Sequence, residues 1–281
     1  MLIRNRTILY IFILASSNVY AIDDLTIAGG KSSGLGYTSV TQSDEWSAFN
    51  NQAGLAWCKN YIAGIYIENR FLLQDLSGKA LAITLPLGKG AFGICLSQFG
   101  YSLYSEMKSG IAYGMHLTKR LSGGVQMSYF RLHIADGFKD NSLYSCQIGL
   151  QFRASDHFWV GFHLNNPVPV KLSTVTTDRL PTLIQFGVSW RISNGVHSDA
   201  EVEKDLNHKP AIRAGIEYCP SKSIFIRFGF ESSPTIFTFG FGFEFSNLQV
   251  DIASSYNLIL GYSPQASVAY LFGKKKKLFG N

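Results

Sequence analysis

Phe237-Thr238-Phe239-Gly240-Phe241-Gly242-Phe243-Glu244-Phe245 sets a large ring against a small or charged residue at every step. A period of two is the side-chain repeat of a β-strand, whose successive residues point to opposite faces. The pattern extends from Arg213 to Phe272. Ile212, Ala214, Ile216 and Tyr218 oppose Arg213, Gly215 and Glu217. After a short turn read at Cys219-Pro220, Ile224, Ile226, Phe228 and Phe230 oppose Arg227, Gly229 and Glu231. Leu248, Val250 and Ile252 then oppose Gln249, Asp251 and Ala253, and Val268, Tyr270 and Phe272 close the series.

Two architectures bury one face of such strands. A soluble sandwich puts the rings in a core and the charges in water. A membrane barrel puts the rings against lipid and the charges in a lumen. Glycine favours the barrel. Gly215, Gly229, Gly240 and Gly242 all lie on the polar face. A solvent-facing strand surface gains little from glycine, which weakens strands; a filled interior can need the room it leaves.

The N-terminus points the same way. Arg4 and Arg6 precede an apolar run from Ile8 to Ala15, and Val19-Tyr20-Ala21 offers small residues where a signal peptidase cuts. Residues 1–21 therefore read as a signal peptide, and the chain as exported. No later run of eighteen apolar residues could form a transmembrane helix. Charged residues make up 16% of the 281 and aromatics 14%, which suits strands with one face in lipid. The net charge of +6 draws on Lys274 to Lys277, a basic tail over 274–281, so no nucleic-acid partner is expected. Cys58, Cys95, Cys146 and Cys219 are widely spaced without a CxxC pair, and neither metal nor cofactor is expected.

The same alternation marks nine further strands upstream, beginning with Ala63, Ile65 and Ile67. The ninth carries an acidic inner face of Asp199, Glu201 and Glu203. With the five above, this predicts an all-β, 14-stranded antiparallel transmembrane β-barrel over residues 60–273. An even count of strands about ten residues long is the bacterial single-chain pattern. Short connections should face the periplasm, with longer ones often between them. The longest is Asn165 to Pro181.

Residues 22–59 differ. Ala28 to Gly36 is glycine-rich, and Ser43 to Phe49 reads as a short helix with Ser43 as its N-cap and acids in the first turn. The segment is expected to be a plug inside the lumen.

Gly34-Leu35-Gly36, Asp44-Glu45-Trp46-Ser47-Ala48-Phe49 and the motif Asn51, Gln52, Ala53, Gly54, Leu55 resemble the start of the FadL-like barrels, and within them the PorV/PorQ family of Bacteroidetes outer-membrane proteins. Gln52 stands where that family has proline. Arg213 to Tyr218, Val250 to Ala253, Leu260-Gly261 and Ser267 to Phe272 also resemble family segments. The resemblance implies an outer-membrane location and an N-terminal segment in the lumen. It also implies one of two roles. The first is a structural or partner-binding component of an envelope assembly, linked to type IX secretion, with envelope or secretion-system proteins as partners. The alternative is a transporter of a hydrophobic small molecule.

Candidate functional residues follow from the inward parity. Arg191, Arg213, Glu217, Arg227, Glu231, Glu244 and Asp251 should form a luminal charge network, because charges in a low-dielectric space must pair or meet water. His116 and His163 share that parity beside Gly114 and Gly161, without the spacing that assembles zinc or a catalytic centre. The outer wall should meet outer-membrane lipid. A transporter needs an apolar patch near the outer mouth, for which Phe71, Leu72 and Leu73 are the clustered candidates.

Overall fold

The computed structural model describes residues 28–135, 140–168, 180–206 and 208–273. The expected signal peptide, the basic tail and the middle of the long loop lie outside the described residues. Fourteen strands close into one antiparallel barrel. They are β1 (Tyr61–Asn69), β2 (Ser77–Leu87), β3 (Gly90–Gly100), β4 (Tyr104–His116), β5 (Leu121–Ile134), β6 (Asn141–Arg153) and β7 (Phe158–Asn165). The second half comprises β8 (Leu183–Ser193), β9 (Val196–Asp205), β10 (Ala211–Ser221), β11 (Ile224–Ser232), β12 (Thr235–Phe245), β13 (Leu248–Asn257) and β14 (Gly261–Phe272). Each strand pairs with the next, and Tyr61 on β1 lies opposite Phe272 on β14, so no edge is left unpaired.

The faces sort as the alternation predicts. On β12, Phe237, Phe239, Phe241 and Phe245 are exposed on the outer wall, while Thr238, Gly240 and Gly242 are buried inside. Rings at this density would be costly in water and are at home in acyl chains. A closed barrel with an apolar exterior satisfies every strand hydrogen bond without an edge, which is what the bilayer demands. The protein is an outer-membrane barrel.

Three local readings change. The turn read at Cys219-Pro220 lies three residues later, at Lys222-Ser223. β10 runs on to Ser221, with the register shifting between Tyr218 and Ser221. A bulge is where a strand tolerates proline, which has no N–H to donate. At the opposite end of the barrel, three connections are as brief as the periplasmic turns: 101–103, 233–234 and 258–260. Finally, Ser43 is not a helix cap. Its hydroxyl donates to Gln151 Oε1 on β6, Asp44 Oδ1 accepts the Trp46 N–H, and the helix starts only at Ser47.

The N-terminal segment fills the lumen. It comprises α1 (Gly30–Gly34), α2 (Ser47–Asn50) and a 3-10 turn (Gln52–Trp57). Its polar atoms reach inward-facing residues around the whole ring. Gly30 N–H donates to Ser267 on β14, Gly36 N–H to Thr238 on β12, Gln52 Nε2 to Gln126 on β5 and Gln147 on β6, and Trp57 Nε1 to Ser122 on β5. A segment that touches β5, β6, β12 and β14 from their inner faces can only lie within the ring. Trp46, Phe49 and Leu55 pack there with Tyr66, Ala82, Cys95 and Ala112 in the main apolar core.

The glycine face now has its cause. A Cβ on Gly229 would lie 2.0 Å from the Gly36 nitrogen, one on Gly215 2.6 Å from the Leu35 oxygen, and one on Gly240 3.1 Å from the Gly34 Cα. Only a bare backbone lets the plug approach so closely.

Candidate functional site

The plug motif forms the site's floor. Asn51 Oδ1 accepts the Ala53 N–H and so closes the turn that proline would otherwise preset. Its amide donates to the Val40 carbonyl at 2.6 Å, and a Cβ on Gly149 would collide with its Oδ1. Gln52 uses the freedom that proline lacks: its amide nitrogen sits 2.7 Å from each of two glutamine oxygens on neighbouring strands. Ala53, Gly54 and Leu55 are buried beneath. Glu45 is also buried in the plug. Its carboxyl is pushed up to about 8, first by burial and then by the neighbouring Asp44.

The inward charges form two clusters. In the first, Arg213 on β10 receives Glu203 on both terminal nitrogens at 2.8 and 2.9 Å, Glu231 on Nε at 2.9 Å and Glu201 at 3.3 Å. Bidentate pairing of this kind uses the planar fork that arginine presents. In the second, Arg227 on β11 holds Glu217 at 2.7 Å and Asp251 at 2.5 Å. Arg191 on β8 and Glu244 on β12 lie half-buried nearer the short turns. Glu201 and Glu203 belong to the network although the initial set omits them; the acidic inward parity of β9 was their signal.

The first cluster continues sideways. Gln185 on β8 donates its amide nitrogen to Glu203 at 2.8 Å, and its Oε1 faces His163 Nδ1 at 2.7 Å. His116, another inward histidine, stacks edge-on against Trp57 of the plug, with ring centroids 4.4 Å apart.

Between the plug and the long-loop end, part of the inner wall turns apolar. Phe130 and Leu132 on β5, Leu143 on β6 and Leu180 before β8 are all buried and packed together, with Tyr104 and Ile134 against them. Phe130 faces Leu143 directly across the β5–β6 pair. These residues break the polar inward parity of their strands at its outer end. The candidates Phe71, Leu72 and Leu73 do not supply this lining. Leu72 and Leu73 are 66% and 54% exposed, and the Phe71 N–H is held by Ser263 on β14. A positive φ at both Phe71 and Leu72 turns that short loop away from the strand direction.

This barrel has counterparts among solved structures. The toluene transporter TodX of Pseudomonas putida superposes with a TM-score of 0.66 at 14% identity, over 88% of this chain and 98% of that one. A FadL homologue of Pseudomonas aeruginosa gives 0.64 at 12% identity, over 88% and 99%. The toluene transporter TbuX of Ralstonia pickettii gives 0.61 at 13%, over 88% and 98%. The fold is that of the FadL-like outer-membrane barrels. No family model and no curated protein matches the sequence. Nothing in these comparisons singles out the narrower PorV/PorQ resemblance. The FadL-like likeness covers 88% of this chain, whereas the PorV/PorQ likeness rests on the N-terminal motif and scattered strand segments.

Proposed function

We propose that this FadL-like barrel carries a hydrophobic small molecule across the outer membrane. The observation that carries the reading is the apolar cluster of Phe130, Leu132, Leu143 and Leu180 on the inner wall toward the long loops. A luminal wall that met only water would bear polar side chains there, as it does in the rest of β5 and β6. Burying an apolar ligand against such a patch contributes about 25 cal/mol for each Å² removed from water, and a few polar groups then orient it. Solved neighbours described as toluene transporters support the same direction.

Equilibrium binding of radiolabelled toluene to the detergent-purified barrel tests this. Saturable binding is expected, weakened at least several-fold by Phe130→Ala and by Leu143→Asn. Non-saturable uptake equal to that of empty detergent micelles would sink the proposal. The narrower PorV/PorQ role, partner binding within a secretion-related assembly, rests on the motif from Asn51 to Leu55 and the other resembling segments. It would show itself as stoichiometric protein partners in a native pull-down.

A further inference from the structure

His163 has a fixed tautomer and an unused nitrogen. Gln185 commits its amide nitrogen to the carboxylates of Glu203 and Glu201, at 2.8 and 3.3 Å. Its oxygen must then accept, so His163 Nδ1 carries the hydrogen and donates across the 2.7 Å contact. Nε2 of the neutral ring is left as a bare acceptor. The side chain is 3% exposed, and Nε2 has no hydrogen-bond partner among the described residues. Two residues along the same inner wall, Asn165 is 5% exposed, and its Oδ1 likewise lacks a partner. A buried polar group left unsatisfied is costly, so two such groups on one strand face are not a neutral feature of the wall.

Their position gives them a use. Strand pairing places Asn165 beside Gln147 and His163 beside Gly149, while Leu143, farther out on β6, faces Phe130. A molecule moving from the apolar cluster toward the plug therefore passes Ser145 and then the two acceptors. At His163 Nε2 the wall offers it a lone pair and no hydrogen to donate. A carboxylate or ether oxygen finds no complement at Nε2; a hydroxyl does.

We propose that His163 Nε2 and Asn165 Oδ1 form a hydrogen-bond-acceptor station that selects hydrophobic ligands bearing a donor hydroxyl, such as phenols, over plain hydrocarbons. The proposal rests on the hydrophobic-ligand reading above and adds the ligand's polar group to it. Arg213 and Glu203 act as positioning residues, because they hold Gln185 and through it the histidine tautomer.

Three probes of one shape test it: p-cresol, toluene, and 4-methylanisole, whose oxygen accepts but cannot donate. Binding to the purified barrel is measured for each and divided by its water-to-hexadecane partition coefficient. After that correction, p-cresol is expected to exceed both others by about tenfold or more. In His163→Phe the partition-corrected advantage of p-cresol over toluene should disappear. Because a buried substitution can prevent folding, a second readout uses the unaltered protein with 15N-labelled histidine. There the pyridine-type nitrogen of His163 should shift with p-cresol and stay put with toluene. If toluene binds but p-cresol gains nothing and the nitrogen does not move, the station holds only water and this inference falls alone. If no probe binds saturably, the transport reading has failed and the station with it.

Discussion

Glu201 Oε2 accepts the backbone N–H of Ser39 at 2.8 Å, joining β9 of the barrel wall to the bend of the plug. The Val40 N–H adds a second bond to the same oxygen at 3.0 Å. Both amides are buried, so the carboxylate is the group that lets this bend lie inside at all. Glu201→Ala should loosen the plug by roughly 1.5–3 kcal/mol, the range for a hydrogen bond to a charged group. Amide hydrogen exchange at residues 39 and 40 should quicken by one to two orders of magnitude, while strand amides stay protected. Unchanged exchange there would mean that the bend is held by something else.

Glycine on the inner wall should be intolerant in proportion to how near the plug backbone comes. A Cβ on Gly124 would sit 2.3 Å from the Gln52 carbonyl carbon, and the Gly229 contact is tighter still. Both plug segments are tied to the strands beside these glycines, Gln52 to Gln126 and Gln147 and Gly36 to Thr238, so neither can retreat without losing those bonds. Gly124→Ala and Gly229→Ala should each cost about 1–3 kcal/mol in urea unfolding. Gly123→Ala, one residue away but outward, meets the movable ends of Leu117 at 3.1 Å and Leu150 at 3.5 Å and should cost far less. Equal losses at Gly123 and Gly124 would break the link between glycine and plug.

This pairing of glycine and plug also marks how far the sequence could be read. Strand number, facing and the luminal segment were legible because a period of two survives any local irregularity. The parity of Glu201 and Glu203 was visible too. What stayed hidden was contact between distant segments. Nothing local tells Ser43 that its hydroxyl will be taken by Gln151, which moves the helix start to Ser47. Nothing local shows that Gln52, in place of a proline, will span two strands. The apolar cluster was legible in principle. Phe130 and Leu132 lie on the inward parity of β5, where Gly124, Gln126 and Ser128 precede them. That switch within one strand was a better signal than the exposed leucines of the 70–76 connection.

Burial of Glu45 should make plug docking pH-dependent. Its carboxyl titrates near 8 when docked, against an ordinary value of 4.5. Burial is the first cause, and Asp44 and Asp251 add to it while Lys31 opposes. Between those two values the docked form keeps a proton that the undocked form has lost. Stability is therefore greatest below about pH 4.5, declines as pH rises, and levels off above about 8, with a total on the order of a few kcal/mol. Glu45→Gln should flatten the slope across this window in thermal unfolding measured at pH 5, 7 and 8.5. A wild-type barrel equally stable at all three would contradict the assignment.

Arg227 offers the sharpest energetic test of the luminal charges. It is 2% exposed and holds Glu217 at 2.7 Å and Asp251 at 2.5 Å, with Gln249 donating to the second Asp251 oxygen at 3.1 Å. Two carboxylates on one buried guanidinium have no equivalent exit to water. Arg227→Met should thus destabilise the barrel by roughly 3–5 kcal/mol, because it strands both acids. The triple replacement Arg227→Met, Glu217→Gln, Asp251→Asn removes the charges together and should recover most of that loss. The comparison separates two roles. If the triple variant unfolds at the same urea concentration as Arg227→Met alone, the arginine's packing rather than its pairing was the contribution. Its guanidinium lies 5.5 Å from the Phe225 ring centroid, so such packing is available, and the triple variant decides between the two.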